Sequence, residues 1–157
     1  MAGEGAPQLD IVNATGMSLG IVSTRWNEDL VTRMRVRALA AASACDVSHI
    51  TNLRVAGSVE LSVGAQALAR RCDAVVALGV VIRGDTAHFD YVCASVTDGL
   101  TRVALDAATP VGHGVLTVDT HAQARDRAGF DDSAEDKGWG ATLAALDAAV
   151  AIRALDQ

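Results

Sequence analysis

The stretch Ala74–Ile82, AVVALGVVI, constrains the fold more than any other part of the chain. It is apolar at odd and even positions alike, so a strand here must hide both of its faces. Strands with one wet face alternate, whereas an unbroken apolar run suits the centre of a parallel sheet covered by helices on each side. The run is far too short to cross a bilayer. It ends abruptly in Arg83-Gly84-Asp85-Thr86-Ala87-His88, a turn carrying a guanidinium, a carboxylate, a hydroxyl and an imidazole, and a helical pattern begins at Phe89.

Around that strand the chain alternates between strand and helix signals. Residues 1–17 lack periodicity and contain Gly, Pro and Asn, so they read as an arm outside the core. Ser18 to Thr24 reads as a strand. Asn27 is placed to cap the helix that follows, with Glu28 and Asp29 in its first turn, where carboxylates suit the helix dipole. A second strand is expected over about Ile50 to Val55 and a helix from Gly57-Ser58 through Ala69. A longer helix runs from Phe89 to Ala107, with Val92, Val96, Leu100 and Val103 as its apolar stripe. Val111 to Val118 is the fourth strand, Thr120 to Ala128 a short helix, and Ala141 to Leu155 the last. Such repeats imply an α/β fold, with a parallel sheet sandwiched between helices and right-handed crossovers. Residues 18–157 then form a single domain. Ligands in such folds sit at the carboxyl ends of the strands. That rule places Trp26, Gly57-Ser58-Val59-Glu60, the Arg83–His88 turn and His113 along one rim.

A length of 157 residues suits one domain with a sizeable core. The net charge of −6 argues against a nucleic-acid binder, which needs a basic face. No Lys/Arg block offers a grip on an anionic membrane. Cys45, Cys72 and Cys93 are odd in number and far apart, so they read as reduced thiols rather than a disulfide framework or a thiolate metal site. MAGEGAPQLD lacks the basic start and apolar core of a signal peptide, so a cytoplasmic protein is expected. The histidines His49, His88, His113 and His121 include no i,i+4 ligand pair, and no metal is expected.

Several local patterns carry little. Gly16-Met17-Ser18-Leu19-Gly20 matches G-x-S-x-G but precedes a strand instead of joining strand to helix. Neither G-x-G-x-x-G nor a Walker A sequence is present. Gly84-Asp85-Thr86 is more informative, because free amides at a helix start can hold a phosphate. An Asp/Thr cap with no ligand explains the same residues. Asp85 is a poor neighbour for an anion, so cations must come from elsewhere, and Arg127 and Lys137 are candidates. Lys137 is the only lysine among 13 basic residues. Trp26 could be a platform for a planar ring or a core filler. Glu60 could bind a polyol or simply face a helix dipole.

Taken together, Gly79-Val80-Val81-Ile82-Arg83-Gly84-Asp85-Thr86-Ala87-His88-Phe89-Asp90-Tyr91, Gly57-Ser58-Val59-Glu60, Arg127-Ala128-Gly129 and Asp136-Lys137-Gly138 resemble lumazine synthases over nearly the whole chain. Trp26-Asn27 and Ser133-Ala134-Glu135-Asp136-Lys137-Gly138 point to actinobacterial members. The resemblance implies a flavodoxin-like three-layer α/β/α sandwich with a four-stranded parallel sheet. It implies a transferase that condenses 5-amino-6-(D-ribitylamino)uracil with 3,4-dihydroxy-2-butanone 4-phosphate. Phosphate and water leave, giving 6,7-dimethyl-8-ribityllumazine without metal or organic cofactor. By position, Trp26 would stack on the pyrimidine and Ser58, Val59 and Glu60 would hold the ribityl chain. Val80, Val81 and Ile82 would line the ring pocket, where His113 is also expected. Asp85 and Thr86 would offer amides to the phosphate, Arg127 its main counter-charge with Lys137 nearby, and His88 would move protons. Each stage shifts protons near neutral pH, which favours an imidazole.

The resemblance also implies a pentamer with sites between subunits, so that His113, Arg127 and Lys137 face another chain's Trp26 and His88. The arm would add a strand to the neighbouring sheet, and the long link from Phe130 to Asp136 would obstruct packing of pentamers into a shell. A homologue that binds flavin or lumazine without turnover is the alternative, and the presence of His88, Arg127 and Lys137 together speaks against it. A phosphate-sensing regulator is a third reading, but it needs an acidic pair after the first strand, where Thr24-Arg25-Trp26 offers none.

Overall fold

The computed structural model describes Gly5, Pro7 and residues 9–156. Its elements run β1 (Ser18–Thr24), α1 (Glu28–Ala44), β2 (His49–Val55), a 3-10 turn (Ser58–Glu60), α2 (Leu61–Ala69), β3 (Ala74–Ile82), α3 (His88–Ala107), β4 (Val111–Val118), α4 (His121–Arg125) and α5 (Lys137–Arg153). A last 3-10 turn covers Ala154–Asp156. The four strands form one parallel sheet in the order β2-β1-β3-β4.

The doubly apolar run is the reason for three layers. Ala74, Val76, Leu78 and Val80 of β3 face a core shared with α1 and α5, while Val75 and Ala77 face a second core shared with α2 and α3. Every residue from Ala74 to Val80 is buried. β1 does the same with Leu19 and Ile21 on one side and Val22 on the other. Close approach of α5 to its neighbours depends on glycine. A Cβ at Gly112 of β4 would collide with the Ala141 carbonyl, and one at Gly138 with the Met34 carbonyl of α1. Among the described residues no helix is long and apolar enough to cross a membrane.

Three sequence expectations are corrected. The arm does not lie wholly outside the core: Ala14 and Met17 are buried in it, tied to α1 and β2 by hydrogen bonds from the Ala14 amide to Cys45 O and from the Ser48 amide to Met17 O. Residues 9–17 are irregular, which is why no period marks them. Positions 1–4, 6 and 8 of the arm, and Gln157, lie outside the described residues. The last helix starts at Lys137, not Ala141, because the Asp136 carboxylate accepts the Trp139 amide and Gly138 in its first turn packs against the backbone of α1. The helix after β4 covers only His121–Arg125, capped by Thr120, whose side chain accepts the Gln123 amide.

Candidate active site

β1 sends the chain to β2 on one side, and β3 lies on its other side. A parallel sheet leaves a crevice at such a reversal, outside the carboxyl ends of the two central strands. A cavity of about 420 Å³ opens there. Val80, Val81 and Ile82 at the end of β3 form its floor, Trp26 and Asn27 one wall, and Gly57 to Glu60 another. Gly84, Thr86, His88, Phe89 and Val92 close the side towards α3.

Trp26 leaves β1 and remains 72% exposed, so it fills no core. The side chain of Ser58 is close to Gly79: a Cβ at Gly79 would stand 3.1 Å from Ser58 Oγ and 3.0 Å from Leu61 Cδ1. Glycine on β3 therefore lets the 3-10 turn settle against the sheet. Glu60 Oε2 accepts the Gly57 amide at 2.8 Å, which fixes the turn and leaves Oε1 without a partner among the described residues. One carboxylate oxygen thus serves the turn and the other stays available on the cavity side.

Asn27 was expected to cap α1 through its side chain, and it does not. It adopts a left-handed backbone (φ 52°, ψ 52°), which Asn tolerates better than most residues, and its Nδ2 donates to Val80 O at 3.2 Å. The bond joins the Trp26 wall to the β3 floor.

Nor do Asp85 or Thr86 cap α3 as the ligand-free reading required. The N-cap is Ala87, with no side-chain cap, and among the described residues Thr86 Oγ1 accepts only a long bond from the His88 amide, at 3.4 Å. Among the described residues, the amides of Gly84, Asp85 and Thr86 have no acceptor. Residues 83–88 are exposed, as is the His88 imidazole. Exposed donors at a helix start suit an anion. Arg83 turns away from the cavity: its Nε donates to Asp119 Oδ1 at 2.9 Å, its Nη1 to Asp90 Oδ1 at 3.3 Å, and its guanidinium lies 4.1 Å from the Phe89 ring centre.

Asp85 sits in the turn between Gly84 and Thr86 without lining the cavity, and three expected site residues lie elsewhere in the same chain. His113 is not on the carboxyl rim. It is the third residue of β4 and pairs with Ala77 in mid-sheet, because β4 runs on to Val118. With Lys137, Gly140 and Ala144 it lines a second opening of about 380 Å³ between β4 and α5. His113 is exposed by surface area, yet enough protein surrounds its ring for desolvation to push the pKa below the ordinary histidine value. Arg127 lines a third opening, with Arg83, Phe89 and Cys93.

Arg127 and Lys137 are brought side by side by a short antiparallel contact, Ala128 opposite Asp136. The Lys137 amide donates to Arg127 O at 3.0 Å and the Glu135 amide to Asp126 O at 3.0 Å. Glu135 stands between the two cations, 3.6 Å from Arg127 Nε and 3.4 Å from Lys137 Nζ. The resemblance groups both residues at the phosphate, but the contact that pairs them within one chain depends on the fold of the intervening loop. Asn27, Phe89 and Val92 were missed as cavity residues; the last two read only as the start and the apolar stripe of a helix. Among the described residues no three His, Cys, Asp or Glu side chains converge as a metal-binding set.

Comparison with known proteins agrees with this geometry. The sequence profile of 6,7-dimethyl-8-ribityllumazine synthase matches residues 16–153. A protein of that name from Salinispora arenicola is 65% identical over 155 residues, 99% of this chain and 93% of the relative. One from Thermobifida fusca is 61% identical, covering 99% of this chain and 91% of the relative. One from Mycobacteroides abscessus is 52% identical, covering 100% and 98%. With a parallel sheet of four strands, a cavity at its reversal point and relatives this similar along their whole length, the chain belongs to the 6,7-dimethyl-8-ribityllumazine synthase family.

Proposed function

We infer that the chain condenses 5-amino-6-(D-ribitylamino)uracil with 3,4-dihydroxy-2-butanone 4-phosphate to 6,7-dimethyl-8-ribityllumazine, the penultimate step of riboflavin biosynthesis. The observation that carries the reading is one cavity combining an exposed indole, strand-end backbone and a helix-start turn with unpaired amides.

In this reading the pyrimidine lies on Trp26 over Val80, Val81 and Ile82, where backbone groups meet its polar edges. The ribityl chain runs past Ser58, Val59 and the free oxygen of Glu60. The phosphate rests on the Asp85 and Thr86 amides. The arylamine adds to the ketone and water leaves to give an imine. A proton shift then allows the C–O bond to phosphate to break. Phosphate loss leaves the hydroxyl-bearing carbon as an enol, which tautomerises to a ketone. The ribitylamino nitrogen attacks this new carbonyl, and loss of a second water closes the ring. His88, at the cavity edge with a free imidazole, gives and takes these protons. Both reactants are reactive already, so holding them in register supplies much of the acceleration.

Arg127, Lys137 and His113 lie outside the cavity in the same chain, so they complete the site of a neighbouring subunit in a ring of identical chains. The ring is a pentamer, and the protein works in the cytoplasm. Mixing the purified protein with both substrates tests the function: fluorescent lumazine and stoichiometric phosphate are expected. Tight lumazine binding with no product would favour the non-catalytic alternative.

A further inference from the structure

We propose that Arg83 is a positioning residue, a clamp that holds the phosphate-binding turn and carries His88 into place. The proposal rests on the reading of Asp85, Thr86 and Arg127 as the phosphate site. The turn has little to hold it. Residues 84–88 are exposed, a Cβ at Gly84 would meet nothing within 4 Å, and no side chain caps α3. Free amides bind an anion well only if they already point the right way, because ordering them on binding costs affinity.

Arg83 fixes both ends of the turn. Its own amide donates to Val118 O at 2.9 Å, which pins the start to the end of β4. Its Nε reaches Asp119, its Nη1 reaches Asp90 beyond the turn, and its plane covers Phe89. One guanidinium thus joins the ends of β3 and β4 to the first turn of α3, closing the loop that carries Asp85, Thr86 and His88. Nε and Nη1 are committed to carboxylates and a face to the ring, so the group acts through the turn and not as a phosphate ligand. Lysine, a point charge without a planar fork, cannot make these contacts together.

The test compares Arg83→Met and Arg83→Lys with wild type and with Arg127→Ala, varying each substrate in turn and recording thermal unfolding. In Arg83→Met the KM for the butanone phosphate should rise about ten- to a hundredfold and kcat should fall, as small misplacements of reacting groups do. The pyrimidine KM should stay nearly constant. Tm should change little, because Arg83, Asp90 and Asp119 are each about half exposed and such pairs add little stability. Arg83→Lys should recover only a minor part. Full recovery by lysine would overturn the clamp, and so would equal losses for both substrates alongside a large drop in Tm. An unchanged phosphate KM in the Arg83 variants beside a raised one in Arg127→Ala would overturn the clamp alone. An unchanged KM in all three would overturn the phosphate reading and the clamp with it.

Discussion

At Trp26 the two sequence readings, ring platform and core filler, predict opposite burial, and an indole 72% exposed on a cavity wall fits only the first. Trp26→Ala should then cost about 1–3 kcal/mol of pyrimidine affinity, by analogy with base–aromatic stacking. The phosphate KM should hardly move, and titration with the pyrimidine and steady-state kinetics together check the split. His88→Ala should slow turnover by roughly 10–10³-fold without abolishing it, since acid–base help is lost and proximity survives. An unchanged kcat at saturating substrates would remove His88 from the mechanism. At this scale the sequence revealed residue types better than partners. Asn27 before a helix reads as a cap, yet its amide reaches Val80, a residue far along the chain. Glu60 reads as a polyol ligand or a helix-start carboxylate, and the structure adds that one of its oxygens accepts the Gly57 amide.

Elements were legible where burial alone decides them. β1, β3 and β4 have the bounds expected from the sequence; β3 is buried on both faces along most of its length, which leaves no ambiguity of period, whereas edge strand β4 exposes His113 and Thr117. The start of α5 was hidden by Gly138 and Gly140, residues that propensity reads as helix breakers. The structure separates the two. A Cβ at Gly138 would strike the backbone of Met34, whereas one at Gly140 meets nothing within 4 Å. Gly140→Ala should therefore stabilise the chain by up to about 1 kcal/mol, the ordinary helix-propensity gain. Gly138→Ala should instead destabilise it by about 1–3 kcal/mol, overpacking outweighing the same gain. Chemical denaturation at one fixed protein concentration compares them, and a stabilising Gly138→Ala would mean that α5 does not sit this close to α1.

In the whole molecule the decisive fact is the division of the proposed site, with Trp26 and His88 on one cavity and His113, Arg127 and Lys137 on two others. We propose that these complementary parts, lying on different faces, meet through a head-to-tail contact between copies, which gives a ring where the rotation closes. The surface agrees. Val59, Val63, Tyr91 and Leu105 are each at least half exposed, and β2 leaves an open edge on which Ile50 is exposed, so an isolated chain would show water much apolar surface. Five copies is the number the sequence resemblance implies and the one we propose, since no physical feature of a single chain supplies it. Whether rings stack further turns on the loop before α5. That loop is fastened to its own subunit: Phe130 lies under Arg125 at 4.0 Å, Arg33 pairs with Asp131 at 3.1 Å, and Arg125 with Asp132 at 2.9 Å. A segment held by cation–π and ionic contacts does not fold aside readily, so it should stand between rings as a fixed spacer. Light scattering should give five times the chain's 16.2 kDa, unchanged on moderate dilution. A monomer with full activity would end the shared-site proposal. A megadalton particle would leave that proposal intact and overturn only the spacer.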